Sequence, residues 1–121
     1  MTRRIVVVIE DDPDIAALMG EMLGELGHQV ETRADLTDGS VEFEPQLVIT
    51  DLVAIRSYDA QAAREWIARV RRVFPNASVI VSTAHAPATE ASAAALGADA
   101  VLPKPFEIAA FTETVESLLD R

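Results

Sequence analysis

Arg4-Ile5-Val6-Val7-Val8-Ile9-Glu10-Asp11-Asp12-Pro13 is the stretch on which the fold turns. Its β-branched apolar residues run without alternation, so a strand made of them must be buried on both faces. That environment is found in a parallel sheet with helices above and below it. The run stops abruptly at three acids and a proline. Asp12 before Pro13 predicts a helix start, with aspartate as N-cap and proline at the first helical position. These ten residues therefore read as strand, acidic edge, helix.

The same alternation continues outward from there. Ile15, Leu18, Met19, Met22, Leu23 and Leu26 recur at helical spacing, and Gly27 predicts the stop. A weaker unit follows, with a strand over 29–33 and a short helix over 36–43 that Gly39 weakens. A third strand spans 47–51. Ala63, Trp66, Ile67 and Val70 then mark a helix ending before Pro75. A fourth strand over 78–82 leads to an alanine-rich helix over 88–96, closed by Gly97. A short fifth strand spans 100–102, and Ile108, Phe111, Val115, Leu118 and Leu119 line a last helix. Ala91, Ala94 and Ala95 are expected to pack on the sheet; the alternative is a close-approach surface for a partner helix. The predicted class is α/β: a (βα)5, doubly wound, parallel five-stranded sheet with helices on both faces. Residues 1–121 make one domain, without internal repeat or linker.

In such a sheet the binding crevice lies beyond the carboxyl ends of the strands. Glu10, Asp11 and Asp12 follow the first strand, Asp51 ends the third, Ser82 and Thr83 end the fourth, and Lys104 follows the fifth. Clustered carboxylates repel one another unless a cation joins them; two like charges ~4 Å apart cost about 4 kcal/mol at an effective dielectric near 20. An all-oxygen set of this kind suits Mg2+, with Mn2+ as the alternative. His28 and His85 lack ligand spacing and read as ordinary surface or loop histidines.

On these residues the chain resembles the response regulator receiver family of two-component signalling, whose fold is flavodoxin-like. The resemblance spans the whole chain. It rests on the acidic pair Glu10-Asp11, on Asp51, on Thr83 within Val81-Ser82-Thr83-Ala84, and on Lys104-Pro105-Phe106. It implies a phosphoacceptor at Asp51, assisted by Thr83 and Lys104. It also implies Mg2+ held by Glu10, Asp11, Asp51 and the main-chain carbonyl of Val53. Lys104 would pair with Asp51 at rest, and the bond before Pro105 would be cis. The phosphoryl donor would be a sensor histidine kinase or a histidine phosphotransfer protein. A homodimer through the last two helices is a further expectation. The domain would be a signalling module rather than an enzyme.

The chain departs from the family pattern after Asp51. Ala54 and Ile55 stand where methionine and proline are usual, and Asp59 stands at a glycine position. The loop thereby loses a fixed φ and an easy left-handed position. Val101 replaces an aromatic residue three positions before Lys104, so an aromatic-rotamer relay is excluded there. Val53 and His85 flank the acceptor site, and a valine cannot position an attacking water, which implies slow self-dephosphorylation. These departures keep a second reading open: a pseudo-receiver that signals without phosphorylation. A phosphatase-type enzyme is disfavoured, because Asp11-Asp12-Pro13 is not the Asp-x-Asp of that class.

The overall charge agrees with this assignment. Ten basic and twenty acidic residues give a net charge of −10, which disfavours direct contact with nucleic acid or an anionic membrane. No cysteine is present, so disulfide and thiolate chemistry are excluded. Neither a signal peptide nor a transmembrane stretch is recognisable, and the expected location is the cytoplasm.

Overall fold

The computed structural model describes residues 4–36, 44–52, 59–84 and 93–120. Along the chain come β1 (Ile5–Ile9), α1 (Pro13–Glu25), β2 (Gln29–Arg33), β3 (Leu47–Thr50), α2 (Ala60–Val73), β4 (Ser78–Thr83), α3 (Ala93–Leu96), β5 (Ala100–Pro103) and α4 (Ile108–Leu119). All five strands are parallel and lie in the order β2-β1-β3-β4-β5. The predicted short helix over 36–43 falls almost wholly outside the described residues, as does the first part of the alanine-rich helix.

Two cores explain why β1 carries no polar residue. Val7 and Ile9 join Val48, Val79 and Val81 against Ala63, Trp66, Ile67 and Val70 of α2 and Leu96 of α3. Val6 and Val8 join Leu47, Ile49 and Ile80 against Met19, Met22 and Leu23 of α1 and Phe111, Val115 and Leu118 of α4. Side chains alternate across a strand, so a strand with helices on both sides needs apolar residues at every position. Among the described helices none is long and apolar enough to cross a membrane.

The helix ends obey local chemistry. Asp12 caps α1, its Oδ1 accepting the N–H groups of Asp14 at 2.9 Å and Ile15 at 3.4 Å. Gly27 takes φ 89°, a left-handed value, and closes α1 with bonds from Gly27 N–H to Gly24 O and from His28 N–H to Leu23 O. Gly97 does the same for α3, with φ 82°. Asp59 is the N-cap of α2, with Oδ1 accepting from Gln61 and Ala62. Its φ of −134° is extended, so the glycine expected there is not required by the backbone.

Several sequence expectations are corrected. Leu18 and Ile108 do not face the core but stand exposed, while Ala16 takes a buried place on α1. Ala94 and Ala95 are exposed rather than packed on the sheet; Leu96 is the buried residue of that turn. Ala91 lies outside the described residues. His28 is buried, with Nε2 2.9 Å from Oε1 of Glu116 on α4, and is no surface histidine. Its partner is 88 residues away, so local sequence carries no sign of the pairing.

Candidate metal and phosphoryl site

The strand order reverses at β1, which has β2 on one side and β3 on the other. This switch point is where ligands bind in doubly wound sheets. Ile9 pairs with Thr50, so the chains leave β1 and β3 side by side, and Asp51 N–H donates to Ile9 O at 2.9 Å. Glu10, Asp11 and Asp51 each offer a carboxylate oxygen, and these lie within 4.8 Å of one another. Glu10 is buried, Asp51 half-buried and Asp11 exposed, so the cluster runs from the sheet edge out to solvent. An open cleft of about 270 Å³ adjoins it, lined by Glu10, Asp11, Pro13 and Arg33 among others.

Lys104 enters from the far side. Its N–H donates to Thr83 O at 2.9 Å, which ties the ends of β4 and β5 together. The Lys104–Pro105 bond is cis, as the resemblance implies. Phe106 stacks on Phe111, ring centroids 5.3 Å apart, and anchors the segment after the lysine. The ammonium of Lys104 is hydrogen-bonded to Glu10 Oε1 and lies 3.3 Å from Asp51 Oδ2. The expected resting pair of Lys104 with Asp51 is thus present, but Glu10 is the nearer partner.

Burial pushes the Glu10 carboxyl up to about 7; Asp51 adds to the rise, and the bond from Lys104 only partly opposes it. Burial works to lower Lys104, but its bond to Glu10 and the attraction of Asp51 outweigh that, and the ammonium is held above its ordinary value. Glu10 Oε2 is buried without a hydrogen-bond partner among the described residues. A buried carboxylate oxygen left in this state costs free energy unless a cation or proton satisfies it. The oxygen donor set, the surplus of negative charge and this orphaned atom all fit a hard divalent cation.

Asp51 is itself held in place. Its Oδ1 accepts Leu52 N–H at 2.8 Å. Its carbonyl accepts the hydroxyl proton of Thr50 at 2.7 Å, and Thr50 Oγ1 accepts the indole N–H of Trp66 at 2.9 Å. Sequence reasoning placed Trp66 only in the core. The available signal was a hydroxyl residue directly before Asp51 together with the chain's single tryptophan. Thr83 is fully buried at the end of β4. Val53, Ala54, Ile55 and His85 lie outside the described residues.

The family description "Response regulator receiver domain" matches residues 6–116. The chain belongs to that family. Among relatives of this receiver domain is the DNA-binding transcriptional regulator NtrC of Azospirillum brasilense, 29% identical over 124 residues, covering 99% of this chain and 25% of that protein. An uncharacterized transcriptional regulatory protein of Bacillus subtilis, YvcP, is 26% identical over 96% of this chain and 48% of its own length. The receiver chain therefore spans a quarter to about half of these relatives. A solved response regulator receiver protein from Burkholderia phymatum superposes with a TM-score of 0.74 at 26% identity, covering 98% of this chain and 96% of that one. The flavodoxin-like α/β class expected from sequence holds.

Proposed function

We propose that this receiver accepts a phosphoryl group on Asp51 from the phosphohistidine of a sensor histidine kinase or a histidine phosphotransfer protein. The observation that carries the reading is the meeting of three strand-end carboxylates with the Lys104 ammonium at the switch point. An oxygen of Asp51 forms a bond to phosphorus while the phosphorus–nitrogen bond of the donor breaks and the imidazole leaves. Phosphoryl transfer needs mainly positioning and stabilisation of charge on the moving oxygens. Glu10, Asp11 and Asp51, with the carbonyl of Val53, would hold Mg2+ or Mn2+, which when bound neutralises charge on the phosphoryl oxygens. Lys104 follows the charge from the Asp51 carboxylate to a phosphoryl oxygen, and the Thr83 hydroxyl donates to another.

The reading places the domain in the cytoplasm as a signalling module, with a homodimer through the last two helices as an accessory expectation. Incubation with acetyl phosphate and Mg2+ should add one phosphoryl group, detected by mass, and Asp51→Asn should abolish it. A folded wild-type protein that binds Mg2+ yet gains no mass would overturn the proposal. That result would favour the pseudo-receiver reading, which the departures at Ala54 and Ile55 support.

A further inference from the structure

The peptide unit between Asp51 and Leu52 is gripped at both of its polar groups. Its carbonyl accepts from Thr50 Oγ1 at 2.7 Å, and its N–H donates to Asp51 Oδ1 at 2.8 Å. A threonine hydroxyl has one proton to give. Thr50 gives it to Asp51 O and accepts the indole proton of Trp66 at 2.9 Å, so the chain of bonds has a single direction. The indole is fixed in turn. Trp66 is buried on α2, and the Arg69 guanidinium lies 5.7 Å from its ring centroid. Arg69 Nη2 also bonds to Leu36 O at 3.4 Å.

From this geometry we infer that Thr50 and Trp66 are positioning residues for the Asp51 carboxylate. The inference rests on the reading of Asp51 as the acceptor and names what aims it. With Oδ1 held by Leu52 N–H, turning the carboxylate alone breaks that bond. The Thr50 hydroxyl on its carbonyl restrains the peptide unit from turning with it. Oδ2 is thereby turned toward Lys104, at 3.3 Å. A buried tryptophan needs only some acceptor for its N–H. Here the acceptor is the hydroxyl that holds Asp51's own carbonyl, so α2 is linked to the site through Thr50. The sequence gives this link a purpose. The loop after Asp51 lacks the proline that would otherwise fix one φ, and a hold on Asp51 comes from inside the sheet. Misplacing a reacting group by a fraction of an ångström slows chemistry without abolishing it.

Three variants test the link, each checked for folding by circular dichroism. Thr50→Val keeps the shape and removes the hydroxyl, Thr50→Ser keeps the hydroxyl, and Trp66→Phe keeps a ring without the N–H. At saturating Mg2+ we expect labelling by acetyl phosphate to slow about tenfold in Thr50→Val and about threefold in Trp66→Phe. Thr50→Ser should stay within about twofold of wild type, and Mg2+ should bind Thr50→Val about threefold more weakly. A folded Thr50→Val labelled at the wild-type rate overturns the inference, as does a Thr50→Ser as slow as Thr50→Val. If Thr50→Val fails to fold, a wild-type rate in Trp66→Phe overturns it instead. If wild type itself is not labelled, the reading of Asp51 as acceptor falls. The link is then judged on Mg2+ affinity, where equality of Thr50→Val and wild type would defeat it.

Discussion

The two ends of the sheet handle charge in opposite ways. At the amino ends, His28 meets Glu116 at 2.9 Å, and Arg71 meets Asp99 at 3.1 Å while Asp99 also accepts Val79 N–H at 2.8 Å. Each acid there has its own nitrogen partner, and each pair joins two parts of the fold: the turn before β2 to α4, and α2 to the start of β5. At the carboxyl ends, Glu10, Asp11 and Asp51 crowd together, and Lys104 bridges only Glu10 and Asp51. Glu10 Oε2 stays buried and has no hydrogen-bond partner among the described residues, and its carboxyl is raised to about 7. Burial is similar at the two ends, since His28 and Glu10 are both hidden. The surplus of like charge is what differs. His28 Nδ1, like Glu10 Oε2, is buried without a partner among the described residues, but a neutral ring nitrogen costs less there than an oxygen of crowded carboxylates, and it is the surplus of charge that calls for a cation.

The largest effect should come from removing the one ammonium at the crowded end. Lys104→Met should slow acetyl phosphate labelling on the order of 100-fold, as expected for loss of one group that stabilises transferring charge. A drop of less than threefold would mean that Lys104 balances charge at rest without acting on the phosphoryl group.

Metal should stabilise this end alone. Mg2+ at a hundredfold excess over its Kd should add about 2.7 kcal/mol to unfolding free energy, read by chemical denaturation. Asp51→Asn should shrink the gain, whereas Glu116→Ala should leave it unchanged. An equal gain in all three proteins would show that the ion binds elsewhere.

The matched end should answer only in stability. Glu116→Ala leaves the buried His28 without its partner and should cost about 1–2 kcal/mol. The labelling rate should match wild type. A changed rate would tie the two ends together, contrary to the contrast drawn above.

The smallest effect is one of pH. The folded Glu10 carboxyl sits at about 7, above its ordinary 4.5. Between these values the folded state binds more protons than the unfolded state, so this group's contribution is full below about pH 4.5 and is lost as pH rises through 7. In EDTA, stability should therefore decline over that window, and Glu10→Gln should flatten the decline. The raised Lys104 contributes throughout this window and is lost only at alkaline pH. A Glu10→Gln curve parallel to wild type would show that Glu10 is not the titrating group.

Much of this molecule was legible before any coordinate. The run Ile5–Ile9 announced a doubly covered strand because β-branched apolar residues at every position suit a strand with helices on both faces. Asp12-Pro13, Gly27 and Gly97 marked helix ends because capping depends on neighbouring backbone alone. The site could be foreseen because parallel strands joined by crossover helices bring all their carboxyl ends to one edge. Side-chain direction was less legible. Leu18 and Ile108 fit the helical period and yet face solvent, since period cannot say where the covered face ends.

Sequence by itself therefore determined the order of the described elements, the helix ends at Asp12, Gly27 and Gly97, and the arrival of Glu10, Asp11, Asp51, Thr83 and Lys104 at a common edge. Tertiary structure alone decided that Glu10 takes the lysine, that Trp66 reaches Thr50 from 16 residues away, and that His28 finds Glu116. The first group follows from interactions along the chain and from topology. The second depends on which side chains meet after the chain has packed, and on how much water is left around them.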